Sequence, residues 1–191
     1  IAYYHAGMEV LRSKSLDRNS FDSGDWFNRL DWSHADNGFG AGLPPSGDNG
    51  KDWALLGPVL MDASIKPGAQ DIVWMRDAFN DLLRIRRSST LFRMRSSEDV
   101  QKRLTFRNVG PKQNPVVIAA HLDGEGYAGA EFREILYFIN VAPEAQALML
   151  PEEAGKTYVL HPVQRAARAI DDRPKAARYD AGSGRFTIPA R

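Results

Sequence analysis

The chain has 191 residues, which is enough for one large or two small domains with a hydrophobic core. Its net charge of +1 gives no field that would attract nucleic acid or an anionic membrane, and no apolar run is long enough to span a membrane. Cysteine is absent, which excludes disulfides, zinc–thiolate sites and thiol catalysis and leaves the compartment open. We therefore expect a soluble protein without nucleic-acid or membrane partners.

The first part of the chain, up to about residue 95, predicts one strand followed by loops and helices. Residues 1–4 are a short apolar run that ends at a turn, as a buried strand does. Residues 33–51 are rich in Gly, Pro, Asp and Asn and predict an irregular loop. Asp52 can cap a short helix that ends near residue 60. The clearest helix covers residues 70–87, and its apolar stripe predicts a core face: Ile72, Met75, Phe79, Leu82 and Leu83.

After residue 96 the hydrophobic period changes to that of strands. Apolar and polar residues alternate over 100–106, and two longer runs follow at 115–122 and 134–141. Shorter candidates lie at 145–150, 157–160 and 185–188, whereas residues 165–179 have a weak pattern and predict surface loop. Several short strands separated by Gly and Pro turns predict an antiparallel β-sandwich.

Residues 11–28 form an unusual polar segment, LRSKSLDRNSFDSGDWFN, without helix or strand periodicity. Basic, acidic and amide side chains surround three aromatic residues, Phe21, Trp26 and Phe27. Such a mixture suits a loop that binds a polar ligand and stacks on its apolar faces, as sugar ligands require. It equally suits a polar surface loop with anchoring aromatics, and composition alone favours that simpler interpretation.

Long motifs recur in order along the chain: IAYYHAGMEVLRSKSLDRNSFDSGDWFNRLDW, DNGFGAGLPPSGDN, FNDLLRIRRSSTLFRMRS, VQKRLTFRNVGP, LHPVQ and SGRFTIPAR. They closely resemble the C-terminal part of the pullulanase and limit-dextrinase family, the α-1,6-debranching enzymes of the α-amylase superfamily. The resemblance implies a mixed α and β fold in which residues 1–95 are the end of a catalytic (β/α)8 barrel, with its last strand, active-site loop and closing helices. Residues 96–191 would then form an antiparallel β-sandwich C-terminal domain.

Glycoside hydrolysis normally needs two carboxylates, one on each side of the scissile bond. The polar segment and its surroundings offer several, and spacing alone selects no pair: Glu9, Asp17, Asp22, Asp25, Asp31 and Asp36. The resemblance implies that the catalytic carboxylates lie on earlier strands of a parent enzyme. We therefore predict no catalytic residue in this chain. The parent enzyme would cleave α-1,6 branch points in pullulan, limit dextrin or glycogen with retention of configuration. The missing N-terminal barrel of that enzyme would be a partner of this chain.

Substrate contacts are a separate matter, because loops after barrel strands build the active-site face. The resemblance implies that Arg18 and Asn19 contact glucose hydroxyls of a branched α-glucan, and that Asp52 makes a further contact. Many relatives carry Asp where this chain has Asn19, a change that keeps hydrogen bonding and removes a charge. Asp25, Trp26 and Asn28 are motif residues of the family, and for all three an architectural role is favoured over a ligand contact. With few apolar residues to offset backbone entropy, residues 11–52 are expected to be weakly ordered without the rest of the barrel.

No metal site or cofactor is predicted. The four histidines, His5, His34, His121 and His161, share no metal-ligand spacing. Oxygen ligands for calcium are present in Asp36, Asn37, Asp48 and Asn49, but without EF-hand spacing such residues usually form turns.

Two other functions stay open for the β-rich half. A carbohydrate-binding module would need exposed stacking aromatics, for which the candidates are Tyr127, Tyr137, Phe138 and Tyr158. A purely structural domain that covers the barrel needs none, and we favour it for this half.

Overall fold

A computed structural model of the protein describes residues 3–191. The chain divides into two compact units, the first ending at Phe79 and the second beginning at Asn80. The strand predicted over residues 1–4 lies partly outside the described residues, and Tyr3 and Tyr4 belong to no helix or strand. Across the described part of the chain, no helix is long and apolar enough to cross a membrane.

The N-terminal unit consists of short helices and turns joined by irregular segments. Its α-helices are α1 (Asp25–Asn28), α2 (Ser46–Asn49), α3 (Trp53–Met61) and the start of α4 (Ala69–Arg87). Single 3₁₀ turns occur at Met8–Val10, Ser20–Asp22 and Gly50–Asp52. The loop predicted over residues 33–51 is irregular up to α2, and the short helix predicted after Asp52 is α3.

Helix α4 confirms the strongest helix prediction, but only in part its predicted core face. Asp71 in the first turn accepts a hydrogen bond from the backbone N–H of Gly68 (2.8 Å), and the last turn is basic, so both ends complement the helix dipole. Ile72 is fully buried. Leu82 and Leu83 are 60% and 41% exposed, so the predicted core stripe is wrong at its C-terminal end.

The strand predicted over residues 100–106 is wrong for most of its length, because helix α5 (Ser97–Arg103) occupies it and β1 covers only Leu104–Phe106. Ser96 caps the helix: its hydroxyl accepts from the backbone N–H of Asp99 (3.0 Å). Acidic residues in the first turn and basic residues in the last turn stabilise the same helix. A helix of about two turns can mimic alternation, and the Ser96 cap favours the helix.

Two three-stranded antiparallel sheets dominate the rest of the C-terminal unit, which also contains the short helix α6 (Pro162–Arg165) and 3₁₀ turns at Thr90–Arg93, Pro151–Glu153 and Arg173–Ala176. In the first, β2 (Val117–Asp123) pairs with β1 and with β3 (Glu134–Asn140). In the second, β6 (Arg185–Ile188) pairs with β4 (Gln146–Met149) and β5 (Arg178–Asp180). The strands predicted at 115–122, 134–141, 145–150 and 185–188 are confirmed as β2, β3, β4 and β6. The strand predicted at 157–160 is absent, and β5 lies in a segment that was predicted to be loop.

Side chains from both sheets share one apolar core, which is what antiparallel sheets need in order to pack face to face. Its buried members come from β2, β4, β6 and the residue after β4: Val117, Ala119, Leu148, Leu150, Phe186 and Ile188. The ring of Phe138 on β3 lies 5.0 Å from that of Phe186 on β6. A second cluster around Leu91 and Leu122 packs on the other face of β2.

A partly buried polar network borders this core and links β2 and β3 to residues that follow β4. Glu134 on β3 accepts hydrogen bonds from His121 (2.7 Å) and Lys156 (2.7 Å), and Lys156 also reaches Glu153 (2.5 Å). The hydroxyl of Tyr158 lies 2.7 Å from Glu153 and 3.0 Å from Glu134. Burial alone would raise the pKa of Glu134, but the hydrogen bonds from Lys156, His121 and Tyr158 outweigh it and lower the pKa from 4.5 to about 2.

The fully buried Glu153 anchors the other end of the network. Its Oε1 lies 2.8 Å from Nε of Arg107, an ion pair in which the N–H is not aligned for a hydrogen bond. Burial favours the neutral acid, whereas Lys156, Tyr158 and Arg107 favour the anion and lower its pKa overall. Tyr158, which lies in the strand wrongly predicted at 157–160, thus belongs to this network.

Glu134 makes the stability of the C-terminal unit depend on pH. Because its pKa is lower in the folded state, its stabilising effect is present above pH 4.5 and is lost as the pH falls toward about 2. We expect the free energy of unfolding, followed in urea by the amide NMR signals of β2 and β3, to fall with pH in this window.

The variant Glu134→Gln should flatten that pH dependence, whereas Glu144→Gln, at an exposed position after β3, should keep it. Equal slopes for wild type and Glu134→Gln would contradict this role.

Candidate functional site

Two asparagines with buried side chains give the polar segment its shape, and Asn37 is the first. Its amide group donates to the carbonyl of Leu11 (2.7 Å), while its backbone carbonyl accepts from the N–H of Ser13 (2.7 Å). Nearby, the hydroxyl of Ser15 donates to the carbonyl of Gly42 (2.6 Å). Residues 11–15 are therefore fixed against residues 37–42 by hydrogen bonds that span more than twenty positions of sequence.

Asn49 is only 2% exposed and holds the next part of the segment. Its Oδ1 accepts from the backbone N–H of Arg18 (3.0 Å), and its Nδ2 donates to Asp17 (2.9 Å) and to the carbonyl of Pro45 (3.0 Å). Asp17 also accepts from the hydroxyl of Ser23. Burial tends to raise the pKa of Asp17, but these hydrogen bonds lower it overall, which keeps the carboxylate ionised as a structural acceptor.

The three residues predicted to contact substrate share one property. Within residues 3–191, the guanidinium of Arg18, the amide group of Asn19 and the carboxylate of Asp52 make no hydrogen bond or ion pair. Their neighbours Asp17 and Asn49 have almost all their polar atoms engaged. The segment thus separates side chains that hold the backbone from side chains that are available to a ligand.

Arg18 and Asn19 lie together in an open depression on the N-terminal unit. Its lining is His5, Arg12, Lys14, Asp17, Arg18, Asn19, Ser20 and Phe21. Phe21 is 86% exposed, so an aromatic face lies beside polar groups, as in many sugar sites. Asp52 does not line this depression, although Asn49, three residues before it, bonds to Arg18. The structure therefore brings together two of the three predicted contact residues.

The motif residues have contacts typical of scaffold. The side-chain amide of Asn28 donates to the carbonyls of Ser20 (2.6 Å) and Gly24 (3.1 Å). The ring of Trp26 packs against Phe27 and reaches Gly42, where an added Cβ would lie only 3.2 Å from the ring. Asp25 is exposed in the first turn of α1.

The carboxylates considered for catalysis are mostly engaged in local turns. Asp31 accepts from the hydroxyl and N–H of Ser33 and from two further backbone N–H groups, and these bonds lower its pKa to about 2. Asp36 forms an ion pair with Lys66 (2.8 Å), and Glu9 accepts from the N–H of Gly7 (3.0 Å). None of these contacts is the open, paired arrangement that glycoside hydrolysis needs.

One group of possible metal ligands occurs among the described residues: His121, Glu134 and Glu153, whose ligand atoms lie within 4.8 Å of one another. Sequence spacing did not reveal it, because its members come from β2, β3 and a 3₁₀ turn. The ammonium of Lys156 contacts both carboxylates and supplies the positive charge that a metal ion would bring. The group is therefore better described as an ion-pair network than as a metal centre.

A serine–histidine pair in the C-terminal unit also escaped the sequence analysis. Nε2 of His161 lies 3.0 Å from Oγ of Ser88, which itself donates to the carbonyl of Ile85 (2.7 Å). Nδ1 of His161 accepts from the N–H of Val163 (3.2 Å), so in the assigned tautomer Nε2 carries the proton. A protonated Nε2 cannot take a proton from Ser88, which excludes this pair as an activated nucleophile.

Comparisons with known proteins agree along the chain. A family model described as "Alpha-1,6-glucosidases, pullulanase-type, C-terminal" matches residues 34–191. The chain is 42% identical over its full length to "Pullulanase 1, chloroplastic" of Arabidopsis thaliana and 36% identical over 87% of its length to a pullulanase of Klebsiella pneumoniae. It covers only 20% and 15% of these two relatives.

Solved structures show the same relationship. The maltotriose complex of PulA from Klebsiella pneumoniae superposes with a TM-score of 0.84 at 34% identity. The match includes 96% of this chain and 20% of that one.

Buried Asn49 and exposed Asn19 should respond differently to replacement. Replacing buried Asn49 by Ala removes one of the donors to Asp17 and leaves the N–H of Arg18 without a partner, and should lower the free energy of unfolding of the N-terminal unit by about 1–3 kcal/mol. Replacing exposed Asn19 by Ala should change it by less than about 0.5 kcal/mol. Urea unfolding followed by tryptophan fluorescence reports on this unit, since all four tryptophans precede residue 80. Equal effects of the two variants would contradict the distinction.

Proposed function

Because the chain belongs to the family of pullulanase-type α-1,6-glucosidase C-terminal regions, we propose that it serves an enzyme that hydrolyses α-1,6-glucosidic branch points. Residues 1–95 would complete the (β/α)8 barrel and present the substrate loop, and residues 96–191 would form a structural β-sandwich. The substrate would be a branched α-glucan such as pullulan, limit dextrin or glycogen. The family match supports the reaction class. The role in binding is supported by the side chains of Arg18, Asn19 and Asp52, which make no hydrogen bond within residues 3–191 although the backbone near Arg18 is held by Asn49.

The chemistry of these three side chains suits glucose hydroxyls. The guanidinium of Arg18 offers several donors in a fixed plane, the amide group of Asn19 both donates and accepts, and the carboxylate of Asp52 accepts. Together they match a ligand whose every hydroxyl can donate and accept. Bond cleavage with retention requires a nucleophile and an acid, and we assign both to the part of the parent enzyme that precedes this chain.

Helix α3 supports the inference that a larger catalytic part covers the N-terminal unit. Its nine residues, WALLGPVLM, are nearly all apolar, yet none of them is buried. Leu55 and Met61 are 70% and 79% exposed. An apolar surface of this kind marks a contact site in a soluble protein. The relatives are five or more times longer than this chain, and we propose that the corresponding barrel packs on α3.

The carbohydrate-binding alternative for the C-terminal unit has little support. Tyr127 and Tyr137 pack on the cluster around Leu122, and Phe138 and Tyr158 pack on the core between the sheets. None of the four offers the exposed face that sugar stacking needs. A structural role for this unit fits these contacts better.

The first test asks for activity. The chain alone, incubated with pullulan, should release no reducing ends above a heat-treated sample, because the catalytic carboxylates belong to the missing part. The pullulanase of Klebsiella pneumoniae, assayed in parallel, is the positive control. Release that survives repurification of the chain would contradict the assignment.

The second test asks for binding through the named side chains. Arg18→Ala, Asn19→Ala and Asp52→Ala should each weaken the affinity for a branched limit dextrin about tenfold, the effect of losing a hydrogen bond that involves a charged or fixed polar group. Matched controls are Arg29→Ala and Asp48→Ala, which remove the same kinds of charge at exposed positions of the same unit for which no substrate contact is proposed. The affinity is measured by titration with NMR detection. Loss of affinity in the controls, or none in the three variants, would contradict the site.

A further inference from the structure

The depression that holds Arg18 has an excess of positive charge. Arg12, Lys14 and Arg18 all line it, and Asp17 is the single carboxylate among the lining residues. In the described part of the chain, none of the three cations takes part in an ion pair. The whole chain has a net charge of only +1, so this local excess does not follow from composition.

Asp17 does not serve as a dedicated counter-ion for these cations. Its carboxylate accepts hydrogen bonds from Ser23, from Asn49 (2.9 Å) and from the N–H of Asn19 (3.3 Å). Lys14 interacts with this carboxylate electrostatically but makes no hydrogen bond to it. The ammonium of Lys14 instead donates to the hydroxyl of Ser20. Three like charges on one concave surface repel one another, and an anion from outside the unit would relieve this repulsion.

A neutral sugar does not need such an excess of charge, whereas an oxyanion does. Guanidinium groups bind phosphate oxygens through paired N–H donors, and an ammonium adds a point charge. The exposed ring of Phe21 at the same depression offers a face on which a sugar can stack. The lining thus combines the recognition elements for a phosphate group and for the sugar that carries it.

We propose that this depression binds a phosphate monoester carried by the glucan, and that Arg12, Lys14 and Arg18 contact its phosphate oxygens. The inference rests on the proposed function, because it assumes that the same segment contacts the glucan. It extends the substrate class from neutral branched glucans to phosphorylated ones.

Glucose 6-phosphate and glucose differ only in the phosphate and are the first pair of probes. In titrations of the full chain, glucose 6-phosphate should bind about tenfold more tightly than glucose, and its affinity should fall as salt is raised. Arg12→Gln and Lys14→Gln should each remove most of this preference. Lys112→Gln makes the same charge change at an exposed position of the C-terminal unit and should leave the preference intact.

Equal affinity for the two sugars, or an equal loss in Lys112→Gln, would overturn the proposal. A second pair of probes separates it from the glucan-binding function: phosphorylated amylopectin and the same polymer after phosphatase treatment, each immobilised. Stronger retention of the chain on the phosphorylated polymer supports the proposal. Equal retention on both contradicts the phosphate site and leaves glucan binding standing. Retention on neither, with normal binding of glucose 6-phosphate, contradicts glucan binding and leaves an anion site.

Discussion

Two buried asparagine side chains determine what the polar segment of the N-terminal unit can do. An amide group is at once a donor and an acceptor, so one side chain can satisfy an N–H and a carbonyl from distant parts of the chain. Asn37 joins residues 11–13 to its own loop, and Asn49 joins Asp17 and Arg18 to the start of α2. In a buried setting each of these bonds is costly to lose. A segment with few apolar residues thereby acquires a defined backbone.

That backbone separates neighbouring residues into two roles. Asp17 faces inward to Asn49 and Ser23, and the next two residues, Arg18 and Asn19, keep their polar ends free. The same contrast exists between Asn49 and Asp52, which follow the polar segment in the chain. A ligand that meets such a surface finds hydrogen-bonding groups whose positions are already fixed, which reduces the entropy lost on binding. The proposed glucan and phosphate contacts both depend on this arrangement.

The sequence predicted those helices and strands whose local hydrophobic pattern indicates the same structure as their packing in the fold. Helix α4 has strong periodicity and strands β2 and β3 are long apolar runs, and these elements and β6 were found within a few residues of their predicted bounds. The strand predicted over residues 100–106 failed because its alternation competes with a capped helix, and the Ser96 cap favours helix over residues 97–103. Strand β5 has three residues in a segment without pattern, and only pairing with β6 makes it a strand.

The candidate site was predictable in a different way. Resemblance to the family nominated Arg18, Asn19 and Asp52, and nothing in composition or spacing could have done so. Asn37 and Asn49 were considered only as calcium ligands, since an asparagine that braces a loop has no local signature and is recognised by its distant partners. The network around Glu134 was missed for the same reason, because its members are brought together by sheet pairing.

The hydrogen bonds of Asn37 and Asn49 give a reason to expect order in the segment, in place of the weak order that its composition predicts. Amide hydrogen exchange of the isolated chain tests this most directly. We predict that the N–H groups of Ser13 and Arg18, which donate to Asn37 and Asn49, exchange much more slowly than the N–H of exposed Phe21. Equally fast exchange at all three, with protection intact in β2 and β3, would show that the segment is not ordered in the isolated chain. That result would contradict the role of Asn37 and Asn49 in fixing its backbone.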